Sequence, residues 1–203
     1  VGVHGDLTFQ YSDMKWFTVS LFLVWFCVTV SPVFAFTDLT SADDEEAIDY
    51  LHEQGIVEGY EDETYRPNDP INRAELLKIL VESRSEQVGD EENCFSDVEE
   101  EWFAKYVCTA KDEGWVEGYD DGAFRPGDFI NRAEALAMIF KVYSEQVEVL
   151  DAEGVLYLDV PTAVWYSNYV YTATSLGFLD EESYFYPSNE ITRGDTASIL
   201  YRL

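Results

Sequence analysis

A unit of 59 to 63 residues occurs three times in this chain, and this repeat limits the possible folds more than any other feature. The first two copies are related by a shift of 59 residues, so that Phe36 corresponds to Phe95 and Pro67 to Pro126. The third copy follows with shifts of 61 to 63 residues. Because one such unit buries little apolar surface, the three copies are expected to close on each other around a shared axis.

Each copy has the pattern of a helix, a long loop and a second helix, which predicts an all-α, mainly helical chain. The second and third copies carry the same set of apolar residues at helical spacing, and we interpret this set as a core face. The set comprises Trp102, Tyr106, Val107 and Ala110, and then Trp165, Tyr169, Val170 and Ala173. The first copy has Asp43 in place of the tryptophan, so its helix is expected to start later or to pack differently.

Short sequence signals mark the helix ends. A glycine follows the first helix of each copy, at Gly55, Gly114 and Gly177, where a positive φ is expected. The second helix of each copy begins with a residue that can cap it, followed three positions later by an acid that can reach back to the cap. The predicted pairs are Asn72 with Glu75, Asn131 with Glu134, and Thr192 with Asp195. Capping therefore explains these acids without a ligand.

The first 35 residues precede the repeats. Residues 1–13 come before the first methionine and are left as an unassigned extension. Residues 14–35 have a lysine, an uncharged run and small residues before Ala35, which is typical of a secretory signal peptide cleaved after Ala35. The alternative is a membrane anchor, but the uncharged run is shorter than the ~20 residues that a spanning helix needs. After cleavage no membrane contact is expected.

Two of the three cysteines lie in the repeats. Cys27 falls in the predicted signal peptide, whereas Cys94 and Cys108 form an even pair 14 residues apart in an exported chain. Such a pair predicts a disulfide bond, and the alternative is two buried free thiols. A metal site at this pair is disfavoured because no histidine lies nearby.

The acidity of the chain limits its partners. It has 41 acidic residues against 12 lysines and arginines, a formal net charge of −29. Nucleic-acid binding is excluded, because neutralising phosphates requires clustered cations. The hydrophobic content of 47% excludes a disordered polyelectrolyte. An anionic ligand would need a local cluster of arginines or a bridging cation.

The segments GYDDGAFRP at 118–126 and INRAE at 130–134 resemble the S-layer homology domain, whose repeats begin with Phe-x-Asp. The resemblance covers residues 36–203 and divides them into repeats at 36–93, 94–154 and 155–203. It implies a pseudo-threefold trimeric bundle of three helix-loop-helix repeats. It also implies a cell-surface protein whose inter-repeat grooves bind a cell-wall polysaccharide, in many members a pyruvylated polymer, without covalent chemistry.

The resemblance also implies ligand-binding residues. They are the motif arginines Arg73, Arg132 and Arg193, the loop aspartates Asp62 and Asp121, and the arginines before proline, Arg66 and Arg125. A planar guanidinium at a helix N-terminus suits a ketal-linked carboxylate. The alternative for each arginine is a pairing with a loop acid that ties the loop to the helix.

The third copy departs from the family pattern and leaves open whether its groove is functional. It lacks the second glycine with its tyrosine, has Tyr186 before Pro187, and has Gly194-Asp195 for Ala-Glu. Four aromatic residues of the three copies can stack on sugars, with burial in the core as the alternative. They are Tyr65, Tyr119, Trp102 and Trp165.

Three other classes of function were weighed. Acidic runs at 43–46, 99–101 and 180–182 suggest calcium, but no stretch has the spacing of an EF-hand loop, so calcium is kept only as a possible helper and no other cofactor is expected. A hydrolase with paired carboxylates is disfavoured because His4 and His52 lie outside any candidate triad, and the chain is predicted not to be an enzyme. A protein-interaction scaffold stays open, as does the oligomeric state.

Overall fold

The computed structural model describes residue 2 and residues 36–84, 87–90, 92–144, 147–151, 157–180 and 182–203. Apart from residue 2, the predicted extension and the predicted signal peptide lie outside the described residues, and so does Cys27. The description below concerns the part of the chain that contains the repeats.

Six helices form the regular structure of these ranges, which contain isolated β-bridges and no strand. They are α1 Ala42–Glu53, α2 Arg73–Ser83, α3 Ala104–Asp112, α4 Arg132–Val142, α5 Ser167–Ser175 and α6 Arg193–Arg202. Each copy of the sequence unit contributes two of them, which confirms the predicted all-α class. No helix in the described ranges has the length and apolar character needed to cross a membrane.

The second helix of each repeat starts as the capping signals predict. In α2, α4 and α6 the side chain of the capping residue accepts a hydrogen bond of 2.9 to 3.0 Å from the backbone N–H of the acid three residues later. Asn72 and Thr192 also donate their own N–H to the carboxylates of Glu75 and Asp195. Each cap contributes about 1 kcal/mol, so the three helix starts are fixed locally.

The first helix of each repeat ends as predicted but does not always begin as predicted. Gly55, Gly114 and Gly177 follow the helices at φ values of 74°, 73° and 80°. The expectation of a late start for α1 is wrong. After the 59-residue shift, the start of α3 at Ala104 corresponds to position 45, whereas α1 begins at Ala42, three positions earlier in the repeat.

The two tryptophans assigned to the core face lie at the surface instead. Trp102 is 55% exposed and Trp165 is 62% exposed. Both precede their helices, which begin at Ala104 and Ser167, so the helical periodicity does not extend back to them. The rest of the predicted face is in the core or at its edge, with Val107 and Val170 fully buried.

A closed ring of backbone hydrogen bonds joins the repeats. Ile71, Ile130 and Ile191, each at most 1% exposed, come shortly before α2, α4 and α6. The N–H of Ile71 donates to the carbonyl of Ile191 at 3.1 Å, Ile191 donates to Ile130 at 3.0 Å, and Ile130 donates to Ile71 at 3.3 Å. Every bond in the ring therefore links two repeats, and the three repeats share one core.

The helices pair across the repeat boundaries. α3 packs on α2, α5 packs on α4, and α1 packs on α6. Within repeat 2, a disulfide bond links Cys94, just before Phe95, to Cys108 on α3. The first helix of one repeat thus covers the second helix of another, and the loops lie beside each of these pairs.

Candidate functional site

The three motif arginines lie at the start of α2, α4 and α6, and each reaches into a neighbouring repeat. The Nε of each donates to a backbone carbonyl over 2.9 to 3.0 Å, Arg73 to Phe124, Arg132 to Phe185 and Arg193 to Tyr65. Each guanidinium also lies over the ring of the same aromatic residue, 4.4 to 5.0 Å from its centroid. These contacts fix the position of the guanidinium without neutralising its charge.

The other guanidinium nitrogens differ between the repeats. Nη1 of Arg132 pairs with the carboxylate of Asp195 at 2.6 Å. Nη2 of Arg193 donates to the backbone carbonyl of Glu58 at 2.8 Å. Within the described ranges no carboxylate pairs with Arg73 or Arg193, although both side chains are only 9% exposed. Within the described ranges, two sheltered positive charges therefore have no counterion, although the chain is strongly acidic.

Two of the arginines line grooves between repeats. The Arg193 groove, of about 280 Å³, combines Tyr60 of the first repeat, Trp102 of the second and Arg193 of the third. The Arg132 groove, of about 380 Å³, combines Arg132 of the second repeat with Asp195 and the loop of the third. All three repeats contribute to the first of these grooves.

The repeat relation places a third, equivalent surface around Arg73, Tyr119 and Trp165, which we call the Arg73 groove. The guanidinium of Arg73 lies 5.2 Å from the ring centroid of Tyr119, the same distance as that from Arg193 to the ring of Tyr60. Tyr65, by contrast, is fully buried, so the core alternative holds for that aromatic residue.

The loop residues singled out by the resemblance form two ion pairs. Asp62 pairs with Arg66 at 3.1 Å, and Asp121 pairs with Arg125 at 2.9 Å. Both arginines adopt a φ of 60° and lie over Tyr60 and Tyr119, at 3.8 and 3.9 Å from the ring centroids. The structure thus gives these arginines the loop-acid partner that the alternative interpretation expects. Their contact with a ligand stays a prediction.

Hydrogen bonds keep the two loop carboxylates ionised. The pKa of Asp62 is lowered first by the hydroxyl of Thr64 and then by Arg66. The pKa of Asp121 is lowered first by the backbone N–H of Ala123 and then by Arg125. Both ion pairs therefore persist into the acidic range.

The aspartate near the start of each repeat, in a Phe-x-Asp motif in the first two copies and in Tyr157-Leu158-Asp159 in the third, has a role that the sequence analysis missed. Each carboxylate accepts hydrogen bonds from two consecutive backbone N–H groups, over 2.7 to 2.9 Å. The aspartates are Asp38, Asp97 and Asp159, and the donor pairs begin at Tyr65, Phe124 and Phe185. These donors belong to the residues whose carbonyls hold the motif arginines. The sequence signal that could have indicated this role is the recurrence of an aspartate at this position in all three copies, outside any helix cap.

The acidic runs do not form a cation site in the described part of the chain. No group of three or more His, Cys, Asp or Glu side chains there is arranged to hold a metal ion.

Comparison with known proteins agrees with the motif. The sequence model of the S-layer homology domain matches residues 35–77, 95–136 and 156–197. The chain is similar to the cellulosome-anchoring protein of Acetivibrio thermocellus, with 34% identity over 124 residues, 59% of this chain and 27% of that protein. It is also similar to the middle cell wall protein of Brevibacillus brevis, with 29% identity over 78% of this chain and 14% of that protein.

An enzyme also contains a similar segment. The amylopullulanase of Thermoanaerobacterium thermosulfurigenes is 31% identical over 83% of this chain and 9% of its own length. The chain thus spans 27% or less of the length of these three relatives.

Proposed function

The chain belongs to the S-layer homology domain family, and from this membership we propose that it anchors to the bacterial cell envelope by binding a cell-wall polysaccharide in its inter-repeat grooves. As a member of this family it is a protein of the cell surface and cell wall. The names of two relatives, a cellulosome-anchoring protein and a middle cell wall protein, support anchoring. The binding we propose is non-covalent and the chain non-enzymatic.

The proposal includes a pseudo-threefold trimeric bundle with repeats at 36–93, 94–154 and 155–203. The ring of hydrogen bonds between Ile71, Ile130 and Ile191 supports it, as do the helix pairs across the repeat boundaries. In such a bundle each groove is assembled from more than one repeat, so binding requires all three repeats to fold together.

The observation that carries the proposal is that no carboxylate among the residues described by the structure pairs with Arg73 or Arg193. Their Nε atoms are already fixed by backbone carbonyls, so little side-chain freedom remains to be lost on binding. A carboxylate on the polymer, such as a ketal-linked one, would accept charge-assisted hydrogen bonds from the remaining nitrogens. Such a ligand would supply the counterion that the described part of the chain does not provide.

Aromatic and polar groups around the arginines suit a sugar. Trp102 lines the Arg193 groove with more than half of its surface exposed, and Trp165 holds the corresponding place in the repeat. An exposed indole ring offers an apolar face against which a sugar ring can pack. The carboxylates of Asp62 and Asp121 are exposed acceptors for sugar hydroxyl groups. We therefore assign the tryptophans to binding together with the arginines.

The test is sedimentation of the purified protein with bacterial wall sacculi, before and after the non-peptidoglycan polymers are stripped from them. We expect pelleting with intact sacculi and its loss after stripping. Replacing Arg73 and Arg193 with glutamine should weaken pelleting by about 10-fold or more, the effect expected for lost hydrogen bonds to a charged group.

Lys105→Gln is the matched control, because it removes one positive charge from an exposed position of α3 that lines neither of the two pockets. It should pellet like the wild type. Equal pelleting with intact and stripped sacculi would refute binding to the stripped polymer, and no pelleting with either would refute anchoring and favour the protein-interaction scaffold.

A further inference from the structure

We propose that the grooves are unequal: the Arg73 and Arg193 grooves accept an anionic group of the polymer, whereas the Arg132 groove is closed to it by the carboxylate of Asp195. This inference rests on the proposed function and specifies which sites operate. In the Arg132 groove, the carboxylate of Asp195 takes the place that the anionic group of the polymer would occupy.

The pairing in the Arg132 groove follows from the geometry of the repeat boundary. Two of the motif arginines share a groove with the capping acid of another repeat: Arg193 and Glu75 line one groove, and Arg132 and Asp195 line another. The carboxylate of Asp195 lies 2.6 Å from Nη1 of Arg132, whereas Glu75 lies outside ion-pair distance of Arg193. The equivalent arginine and acid thus form a salt bridge in the Arg132 groove but not in the Arg193 groove.

The hydrogen bonds at the caps of α2 and α6 also differ between these two grooves. A carboxylate oxygen of Glu75 accepts the N–H of Asn72 at 3.0 Å, so this acid is engaged with its own helix. The oxygen of Asp195 that pairs with Arg132 is also 3.4 Å from the N–H of Thr192, a much weaker bond. Aspartate has a shorter side chain than glutamate, and the carboxylate of Asp195 therefore bonds more closely to Arg132 than to the N–H of Thr192.

The surroundings of Arg132 also disfavour an anion. Arg202, the other cation of the groove, is bound to Asp180 at 2.8 Å. Glu182 and Glu190 add further negative charge to the lining. With four carboxylates against two arginines, an incoming carboxylate would be repelled and would also have to displace Asp195.

The aromatic residues of the two grooves also differ, and this difference too favours binding in the Arg193 groove. The Arg193 groove has Trp102 in its wall, from the second repeat. The corresponding position of the first repeat, which would serve the Arg132 groove, is Asp43 in the sequence. The Arg132 groove has the stacked tyrosines Tyr184 and Tyr186 instead, with centroids 5.7 Å apart.

The experiment is a titration of ¹⁵N-labelled protein with a methyl hexoside carrying a 4,6-linked pyruvate ketal, followed through the arginine Nε–Hε resonances. Each motif arginine reports its own groove and is assigned with an arginine-to-lysine variant. We expect the resonances of Arg73 and Arg193 to shift with saturation. The resonance of Arg132 should not saturate, or only at a Kd at least 10-fold higher, about 1.4 kcal/mol weaker.

Asp195→Asn then tests the cause. The amide oxygen can still accept the N–H of Thr192 while the charge is removed, and the Arg132 resonance should now saturate with a Kd within about 10-fold of the other two. Adding Arg132→Gln to this variant should remove the third binding event and leave the other two. Thermal melting of each variant shows that the fold is intact.

Three results would overturn the inference: saturation of all three resonances in the wild type, no gain of binding in a folded Asp195→Asn variant, or no response of any arginine to the ketal. The last result would concern only the anionic ligand. Pelleting with sacculi would still decide anchoring itself, so the two proposals fail separately.

Discussion

The aspartates at the start of the repeats act on backbone groups and not on a ligand. Asp97 accepts the N–H groups of Phe124 and Arg125 at 2.7 Å each, and the carbonyl of Phe124 in turn accepts Nε of Arg73. One carboxylate thus holds the loop of its own repeat, and that loop holds the arginine of another repeat. The position of the guanidinium that we propose to bind the ligand therefore depends on Asp97 through the loop.

Asp97→Ala should therefore destabilise the protein and weaken wall binding. The loss of two hydrogen bonds to a charged acceptor is expected to lower the free energy of unfolding by about 2–4 kcal/mol, as measured by urea denaturation. Asp120→Ala, at an exposed loop position, is the control and should change it by less than about 0.5 kcal/mol. An Asp97→Ala variant as stable as the control would show that these hydrogen bonds are not needed.

Residue-scale predictions from the sequence succeeded where the chemistry was local. The helix caps and the glycines at positive φ depend on neighbours within a few positions, and the motif contains those neighbours. The contact between Arg193 and Tyr65 spans 128 positions, and no local pattern could indicate which guanidinium nitrogens it leaves open. The wrong placement of Trp102 has a similar origin, because the helix begins two residues later than the periodicity suggested.

At the scale of elements, the long loops are as well defined as the helices. In the first two repeats an ion pair, an arginine at positive φ and a tyrosine ring occupy the same positions. In the third repeat Tyr186 takes the arginine's place at a φ of 56° and stacks on Tyr184. The backbone of the loop is therefore retained although its side-chain interactions have changed.

The loop ion pairs predict a dependence of stability on pH. The folded-state pKa values of Asp62 and Asp121 lie below the usual 3.8, so their contribution to stability is complete above 3.8 and is lost as the pH falls through the folded values. We expect the double variant Asp62→Asn and Asp121→Asn to melt slightly below the wild type at pH 7. The two melting temperatures should converge below pH 3.8.

The comparison needs melting curves for both proteins across this range, with Asp120→Asn as a charge-matched control at one loop. Because both carboxylates are exposed, the difference is expected to be small and to shrink with added salt. A difference that persists unchanged at the lowest pH would mean that charge is not its cause.

At the scale of the whole molecule, the ring of isoleucine hydrogen bonds makes the repeats interdependent. Ile71, Ile130 and Ile191 each donate to one repeat and accept from the other. The helix pairs at the boundaries act in the same way, since α1 is covered by α6 from the opposite end of the described chain. No repeat keeps its packing if another one unfolds.

Ile130→Ala should consequently destabilise all three repeats together. Truncating a fully buried isoleucine costs about 2–5 kcal/mol. We expect urea unfolding curves followed by far-ultraviolet circular dichroism and by tryptophan fluorescence to shift together, each with a single transition. Leu158→Ala, at a highly exposed position, should leave the curves unchanged. Separate transitions for the two signals would show that the repeats unfold independently.

All three repeats contribute residues to the Arg193 groove, and this bears on how repeat proteins of this kind change after gene duplication. The third repeat, whose own groove we infer to be closed, still supplies the arginine of the groove beside the first repeat. A recombination event that exchanged one repeat for another would alter two binding sites at once. Selection for binding therefore acts on the boundary between two repeats and not on a single repeat. A repeat can lose its own binding site and still be required for the binding site of its neighbour.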